Sequence, residues 1–223
     1  MADLYLVRHA QASFGQDNYD QLSELGYQQG VWLGEYFAER EIAFDRLITG
    51  SLQRHKQTME GIAKSQSNNL TVESHLGFNE FDFKSLLEAY AVNHDLSQLD
   101  PANSREIYHY LKLSMMAWAN GELDQSLLPE SWDEFNHRVS EALDYACSND
   151  GEKVLVVSSG GAISMALSHI MNFGAETLIN LNLQSRNTGV TQCYYNKDVR
   201  RVSSFNNVPH LDVSDRLHAI TYV

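Results

Sequence analysis

Leu4-Tyr5-Leu6-Val7-Arg8-His9 is the stretch that decides the fold. Its four apolar residues include the β-favouring Tyr5 and Val7. They read as a short strand buried inside a parallel sheet. The following residues, 10–20, are rich in Gly, Ser, Asn and Asp, the composition of a loop. The pair Arg8-His9 therefore stands at the carboxyl end of a strand, the side of an open α/β sheet where ligands bind.

Outward from this strand, the chain alternates helices and strands. Ser23 is a good N-cap for a helix running to about Arg40, with Leu25, Trp32, Leu33, Tyr36 and Phe37 on its apolar face. Residues 44–49 read as a second strand and 51–63 as a second helix, with Leu52, Met59 and Ile62 on one side. Between 76 and 128 the pattern weakens into helical segments. Pro101 breaks this region and Gly121 marks a further boundary. Ser131 caps a helix to about Cys147, and Asp150-Gly151 is a turn. Residues 153–157 form a near-continuous apolar run and read as a central strand. Gly160-Gly161 opens a helix to about Asn172. Residues 190–195 and 199–205 are strands that close the sheet with an antiparallel edge.

This alternation predicts a three-layer α/β/α fold with a mostly parallel central sheet. A single domain spans 1–223, with a helical insertion at about 84–128 over the carboxyl ends of the strands. The strand ends single out residues 8–15, 50–54 and 158–161 as the ligand-facing places.

The chain has 223 residues, 43% of them hydrophobic, enough for one sizeable core. Its formal net charge is −13, which argues against a nucleic-acid partner. A local cationic pocket can still hold an anionic small molecule. Two cysteines, Cys147 and Cys193, make no disulfide framework and form no CxxC pair. No signal-peptide pattern and no apolar run of membrane-spanning length occur, so a cytoplasmic location away from membranes is expected. Nothing in the sequence assigns an oligomeric state.

The chemistry concentrates at the strand ends. A neutral imidazole at His9 is a nucleophile for phosphorus, and covalent catalysis splits one hard transfer into two easier ones. The guanidinium of Arg8 matches phosphate geometry better than an ammonium would. Arg54 lies in the first turn of the second helix, where the dipole disfavours a cation unless an anion binds at that helix start.

These residues fall within an ordered set of motifs. Leu6-Val7-Arg8-His9-Ala10-Gln11 resembles the Arg-His-Gly-Glu strand end of the histidine phosphatase (phosphoglycerate-mutase-like) superfamily. Leu22-Ser23-Glu24-Leu25-Gly26-Tyr27-Gln28-Gln29 resembles its Leu-Ser/Thr-x-x-Gly-x-x-Gln helix start. Ser51-Leu52-Gln53-Arg54-His55-Lys56-Gln57-Thr58 resembles its Ser-x-Leu-x-Arg-Ala-x-Gln-Thr segment, one residue shorter between Ser and Arg. Asn79-Glu80-Phe81-Asp82-Phe83 is similar to its Glu-x-x-Phe-Gly stretch. Pro129 to Phe135 with Arg138-Val139 is similar to its Glu-Ser-x-x-x-Phe…Arg-Val helix. Residues 154–163 resemble its Ser-His-Gly-Gly strand end, and Asn187 to Thr191 with Asn207…His210-Leu211 its last strands.

The resemblance implies that His9 is phosphorylated, that Arg8 and Arg54 clamp the phosphoryl oxygens, and that Glu80 is the general acid and later the base. A carboxylic acid in that role works best partly desolvated, with its pKa near the working pH. No metal or other cofactor is expected, because arginines can neutralise the developing charge. The partner implied is a small-molecule phosphate ester.

The chain departs from the pattern at Ser159, which stands where the family has a second His. One lost charged donor can cost about 10²–10³ in rate. Backbone N–H groups near Gly160 remain at a helix start, and His55 or His210 could bring an imidazole from elsewhere. Ala10 replaces a Gly, and Gly15 stands where many members have a phosphate-contacting Asn, with Ser13 an available hydroxyl in the same loop. Three readings follow: a phosphatase for a small monoester, a catalytically impaired phosphate-binding relative, and a mutase. The last needs further cations, and the insertion holds only Lys84, Arg105 and Lys112. Tyr90, His94, Tyr108, His109, Tyr110, Met115, Met116 and Trp118 either line a substrate wall or pack the insertion onto the domain.

Overall fold

A computed structural model describes residues 1–13, 20–66, 70–94, 103–148 and 152–222. Gly15, Pro101 and the turn at Asp150-Gly151 lie outside these residues. The strands are β1 (Ala2–Arg8), β2 (Arg46–Thr49), β3 (Val72–Ser74), β4 (Lys153–Ser158), β5 (Val190–Tyr195) and β6 (Arg200–Asn207). The helices are α1 (Glu24–Glu39), α2 (Gln53–Ala63), α3 (Phe83–Ala91), α4 (Ser104–Ala119), α5 (Trp132–Ala146), α6 (Gly160–Met171) and α7 (Ala175–Leu183).

The strands form one sheet of six in the order β3-β2-β4-β1-β5-β6. The first four are mutually parallel, while β5 and β6 run antiparallel to their neighbours at one edge. Alternation along the strands divides the core between two faces. Leu4 and Leu6 of β1 with Val154 and Val156 of β4 face α4, α5, α6 and α7. Tyr5 and Val7 with Leu155 and Val157 face Leu33 and Phe37 of α1 and Met59 and Ile62 of α2. Helices cover both faces, which gives the three layers and explains why β1 and β4 are nearly continuous apolar runs.

Helix starts follow their caps. Ser23 Oγ accepts the Gly26 N–H (3.0 Å) at the head of α1. Ser131 and Glu134 form a reciprocal capping box on α5. The second helix begins at Gln53, two residues later than its sequence suggested, because Ser51 is occupied by Asn79 instead of capping. Two elements went unread: β3, three residues on an edge with an exposed–intermediate–exposed pattern, and α7, which has no side-chain cap.

The insertion supplies α3 and α4. Met115 and Trp118 of α4 and Tyr90 of α3 are buried in the main core, so these residues pack the insertion down instead of lining a wall. Met115 Sδ accepts the amide of Asn182 in α7 (3.7 Å), and Asn182 lies against Gly160 at the carboxyl end of β4. Trp118 meets Phe81 (5.4 Å between centroids) and stacks on Phe135 of α5 (5.5 Å).

Phe135 is fully buried and also contacts Phe81 edge-on at 5.6 Å. Phe81 is the residue after Glu80, so this aromatic cluster anchors the Glu80 segment. Phe135→Ala should lower the unfolding free energy by about 3–5 kcal/mol, read from urea denaturation. A loss below about 1 kcal/mol would show that the cluster closes over the gap without cost.

Candidate active site

The ladder between β1 and β4 places Arg8 opposite Ser158, and the one between β2 and β4 places Thr49 opposite Val157. The next residues are His9, Ser159 and Gly50. The described residues of the three stretches singled out at strand ends therefore meet at the carboxyl ends of the parallel strands. His9 N–H donates to the Ser158 carbonyl (2.8 Å), and Gly50 N–H to that of Val157 (3.1 Å), extending both ladders into the site.

His9 is 4% exposed. Its Nδ1 lies 2.8 Å from the Ala10 carbonyl. A carbonyl only accepts, so Nδ1 carries the proton and Nε2 holds a free lone pair. Burial, then the Arg54 and Arg8 guanidiniums, hold the His9 pKa well below the usual histidine value. The ring is thus neutral and oriented, as a nitrogen nucleophile requires.

The cations sit close by. Arg54 is buried on the first turn of α2. Its Nη1 pairs with Asp20 (2.8 Å), whose other oxygen accepts the Gln53 N–H (2.8 Å). The anion expected at this helix start is therefore provided within the chain by Asp20. Arg8 is half-buried, and its Nη1 donates to the carbonyls of Ser185 and Tyr222 (2.8 Å to the latter). These bonds fix the guanidinium beside His9.

Glu80 approaches from the segment after the 3-10 turn Leu76–Phe78. Its Oε2 accepts the Gly161 N–H (3.0 Å) and its Oε1 that of Phe81 (3.2 Å). A side chain on Gly161 would put Cβ 2.3 Å from Glu80 Oε1 and 2.6 Å from the Phe81 ring, so only glycine admits the carboxylate. Desolvation raises the Glu80 pKa, partly opposed by the Gly161 N–H and by Arg54. An oriented imidazole with a free Nε2, two guanidiniums and a carboxyl biased toward its acid form surround one spot. Residues 4–208 of the chain match the sequence family described as the histidine phosphatase superfamily (branch 1).

The chain belongs to that superfamily. A broad-specificity phosphatase of Saccharomyces cerevisiae, YOR283W, is 26% identical to it over 220 residues, covering 93% of this chain and 86% of the relative. A Salmonella paratyphi A protein named "Probable phosphoglycerate mutase GpmB" is 27% identical over 226 residues, covering 95% and 96%. Among solved structures, a phosphoserine phosphatase from Entamoeba histolytica in complex with phosphoserine is similar at a TM-score of 0.65 and 20% identity. That likeness covers 95% of this chain and all of the other, and shows the shared fold.

The remaining expected residues are placed unequally. Ser159 is fully buried, with Oγ 2.7 Å from His55 Nε2. Gly160 opens α6 beside it. Ser13 gives its N–H to the Gln21 carbonyl (2.7 Å), and its hydroxyl makes no hydrogen bond among the described residues. His210 stands behind the site, with Nε2 2.8 Å from Thr188 Oγ1. The Thr188 proton is already given to the Asn187 carbonyl (2.7 Å), so His210 is the donor there. It thus orients the side chain of Thr188, whose backbone N–H meets the Arg8 carbonyl (3.1 Å).

Several residues that build the site carried no visible role in the sequence. Thr58 Oγ1 accepts the Ala10 N–H (3.0 Å), and Gln29 Oε1 accepts that of Gln11 (2.8 Å). Asn187 Nδ2 donates to the His9 carbonyl (3.1 Å). Thr188 adopts φ 54°, an outlier for a β-branched residue, and its N–H reaches the Arg8 carbonyl (3.1 Å). Arg138 donates to the carbonyls of Gly77 (3.0 Å) and Asn79 (2.8 Å) while paired with Glu130, bracketing the approach to Glu80. Their motif positions marked them as a set, but polar residues on helices give no pattern that separates a brace from a solvated face. Among the described residues, no group of three or more His, Cys, Asp or Glu could hold a metal ion. Both cysteines are free, their thiols pushed by burial up to about 11 for Cys147 and about 12 for Cys193.

His9, His55 and His210 are all buried with pKa values pushed below the usual histidine range, His210 to about 3. Unfolding lets each bind a proton below pH ~6.5, so stability falls on acidification from there. Glu80, whose folded pKa is raised, acts in the opposite direction above its ordinary value. His210→Asn removes one of the three protons. It should flatten the dependence of unfolding free energy on pH by about 1 kcal/mol per unit in the mildly acidic range, measured by urea titrations. An unchanged slope would mean that His210 titrates normally in the folded protein.

Proposed function

We propose that this protein hydrolyses a small phosphate monoester through a phosphohistidine on His9. The observation that carries this reading is the 2.8 Å contact of His9 Nδ1 with the Ala10 carbonyl, which leaves Nε2 unprotonated beside Arg54 and Arg8. The superfamily match and the phosphatase names among the relatives support it. Nε2 attacks phosphorus, the P–N bond forms, and the ester P–O bond breaks. The leaving oxygen takes its proton from Glu80. Glu80, now a carboxylate, accepts a proton from water as the water attacks phosphorus, the P–N bond breaks, and inorganic phosphate leaves. The guanidiniums stabilise the charge on the equatorial oxygens.

The mutase name among the relatives motivates the second reading. A diphosphorylated intermediate and a substrate carboxylate need cations beyond Arg8 and Arg54. Within the insertion, Lys84 is exposed and faces Glu88 (4.0 Å), and Arg105 is exposed. Hydrolysis fits this arrangement better. Supplied with 3-phosphoglycerate, a phosphatase releases inorganic phosphate, whereas a mutase yields the 2-isomer without net release.

The first test is hydrolysis of p-nitrophenyl phosphate. His9→Ala should abolish turnover, and full turnover in that variant would remove His9 as the nucleophile. Glu80→Gln should slow alkyl phosphates by about 10²–10⁴ but p-nitrophenyl phosphate far less, because nitrophenolate leaves without a proton. Equal losses on both would assign Glu80 to binding instead of acid catalysis.

The pH profile tests the same roles. The nucleophile acts above the pKa of His9, which is lowered, and the acid acts below that of Glu80, which is raised. These shifts draw the two limbs apart. Turnover of an alkyl phosphate should hold into mildly acidic solution and fall on the alkaline side, and Glu80→Gln should erase that alkaline limb. A profile that rises steadily with pH would contradict the assignment.

A further inference from the structure

Ser159 departs from ordinary helix chemistry. It occupies the N-cap position of α6 with extended backbone (φ −111°, ψ 165°), yet its side chain makes no capping hydrogen bond. A serine there normally accepts a backbone N–H from the first helical turn. Here the hydroxyl instead meets His55 Nε2 at 2.7 Å, and the Gly161 N–H is taken by Glu80. Ser159 and His55 are both fully buried, and the His55 ring centroid lies 5.7 Å from that of His9.

The direction of this hydrogen bond follows from the other ring nitrogen. His55 Nδ1 is buried and has no hydrogen-bond partner among the described residues. It lies over Gly50, where a Cβ would come within 2.3 Å of it. An orphaned buried N–H is rarer and costlier than an orphaned lone pair. Nδ1 therefore holds the lone pair and Nε2 the proton, so His55 donates and Ser159 Oγ accepts. The proton of Ser159 remains to be given elsewhere, at the strand end where His9 stands.

We propose that His55 and Ser159 act as a pair in which the Ser159 hydroxyl donates to a phosphoryl oxygen while His55 Nε2–H holds and polarises it. This rests on the phosphatase reading above and extends it. His55 is a positioning residue, and Ser159 is the group that touches the substrate. The pair also rationalises two departures in the motifs together. The family pattern has Ala where this chain has His55, and His where it has Ser159, so the imidazole has moved from the β4–α6 junction to α2 and reaches back across the site. A chain of two hydrogen bonds polarises its outer donor. It does so without placing a third full charge beside Arg8 and Arg54, since burial and Arg54 keep His55 neutral at rest.

The test uses kcat on p-nitrophenyl phosphate together with the affinity for orthovanadate measured by calorimetry. Ser159→Ala deletes one oxygen atom and should lower kcat by about 10²-fold with little change in KM. His55→Ala should fall similarly. The double variant should be no worse than the lower single, since either change breaks the same pair. The decisive variant is His55→Ala with Ser159→His, which returns the imidazole to the strand end and should recover kcat to within about tenfold of the parent. His55→Ala with Ser159→Phe refills the space without a donor and should stay at the level of His55→Ala. Recovery by Phe as well as His would show a purely space-filling role and overturn the proposal. So would full kcat in Ser159→Ala, or losses that multiply in the double variant. Absence of turnover in the parent protein would sink the phosphatase reading instead. Vanadate affinity would then still decide the pair: a fall in Ser159→Ala supports it and an unchanged value refutes it.

Discussion

The hydrogen bond from His9 N–H to the Ser158 carbonyl is the constraint on which the site depends. It is the last rung of the parallel ladder between β1 and β4, and it fixes the height of His9 relative to Ser159 and Gly161. A one-residue slip in that ladder would turn Leu4 and Leu6 toward the wrong helical layer. The cost of misfitting side chains into two differently packed layers therefore guards the register, and the register guards the placement of His9 relative to Ser159 and Gly161. Core packing and the geometry of the site are here a single requirement.

The loop beyond His9 is held in the same spirit, by polar side chains delivered from regular elements. Gly26 lets the Gln11 carbonyl approach α1, where a Cβ would stand 2.1 Å from the oxygen. Gln57 and Thr58, one turn beyond Arg54, accept the N–H groups of Leu22 and Ala10. The helix that carries Arg54 thus also grips the two ends of the loop that follows His9. This explains why the Arg54…Gln57-Thr58 spacing belongs to one motif: i, i+3 and i+4 share a helix face. Rigid elements position the groups more tightly than a free loop could.

Much of this was legible in the residues. The apolar runs of β1 and β4, the serine caps of α1 and α5, and the ordered motifs gave the layers, the antiparallel edge and the cluster of His9, Arg8, Arg54 and Glu80. What could not be read obeys a common cause. β3 is three residues on an edge, too short for a period to show. α7 starts on Gly174 without a cap signal. Asn187 and Thr188 reach the site from positions far along the chain, and spacing in sequence does not encode which distant carbonyl their N–H groups will meet. His55 was visible as an imidazole near the motif, but its bond to Ser159 spans 104 residues and needed the fold to appear.

The hold on His9 also draws on the far end of the chain. Arg8 is pinned by the carbonyls of Ser185 and Tyr222, the His9 carbonyl by Asn187, and Gln29 by Ala219 and Thr221. These partners are separated from β1 by most of the chain, so each contact closes a long loop whose entropic cost only the assembled domain offsets. His9 is therefore braced only when the segments around β5, β6 and residues 217–222 have docked. An ordered His9 is in that sense a report that the whole domain has folded.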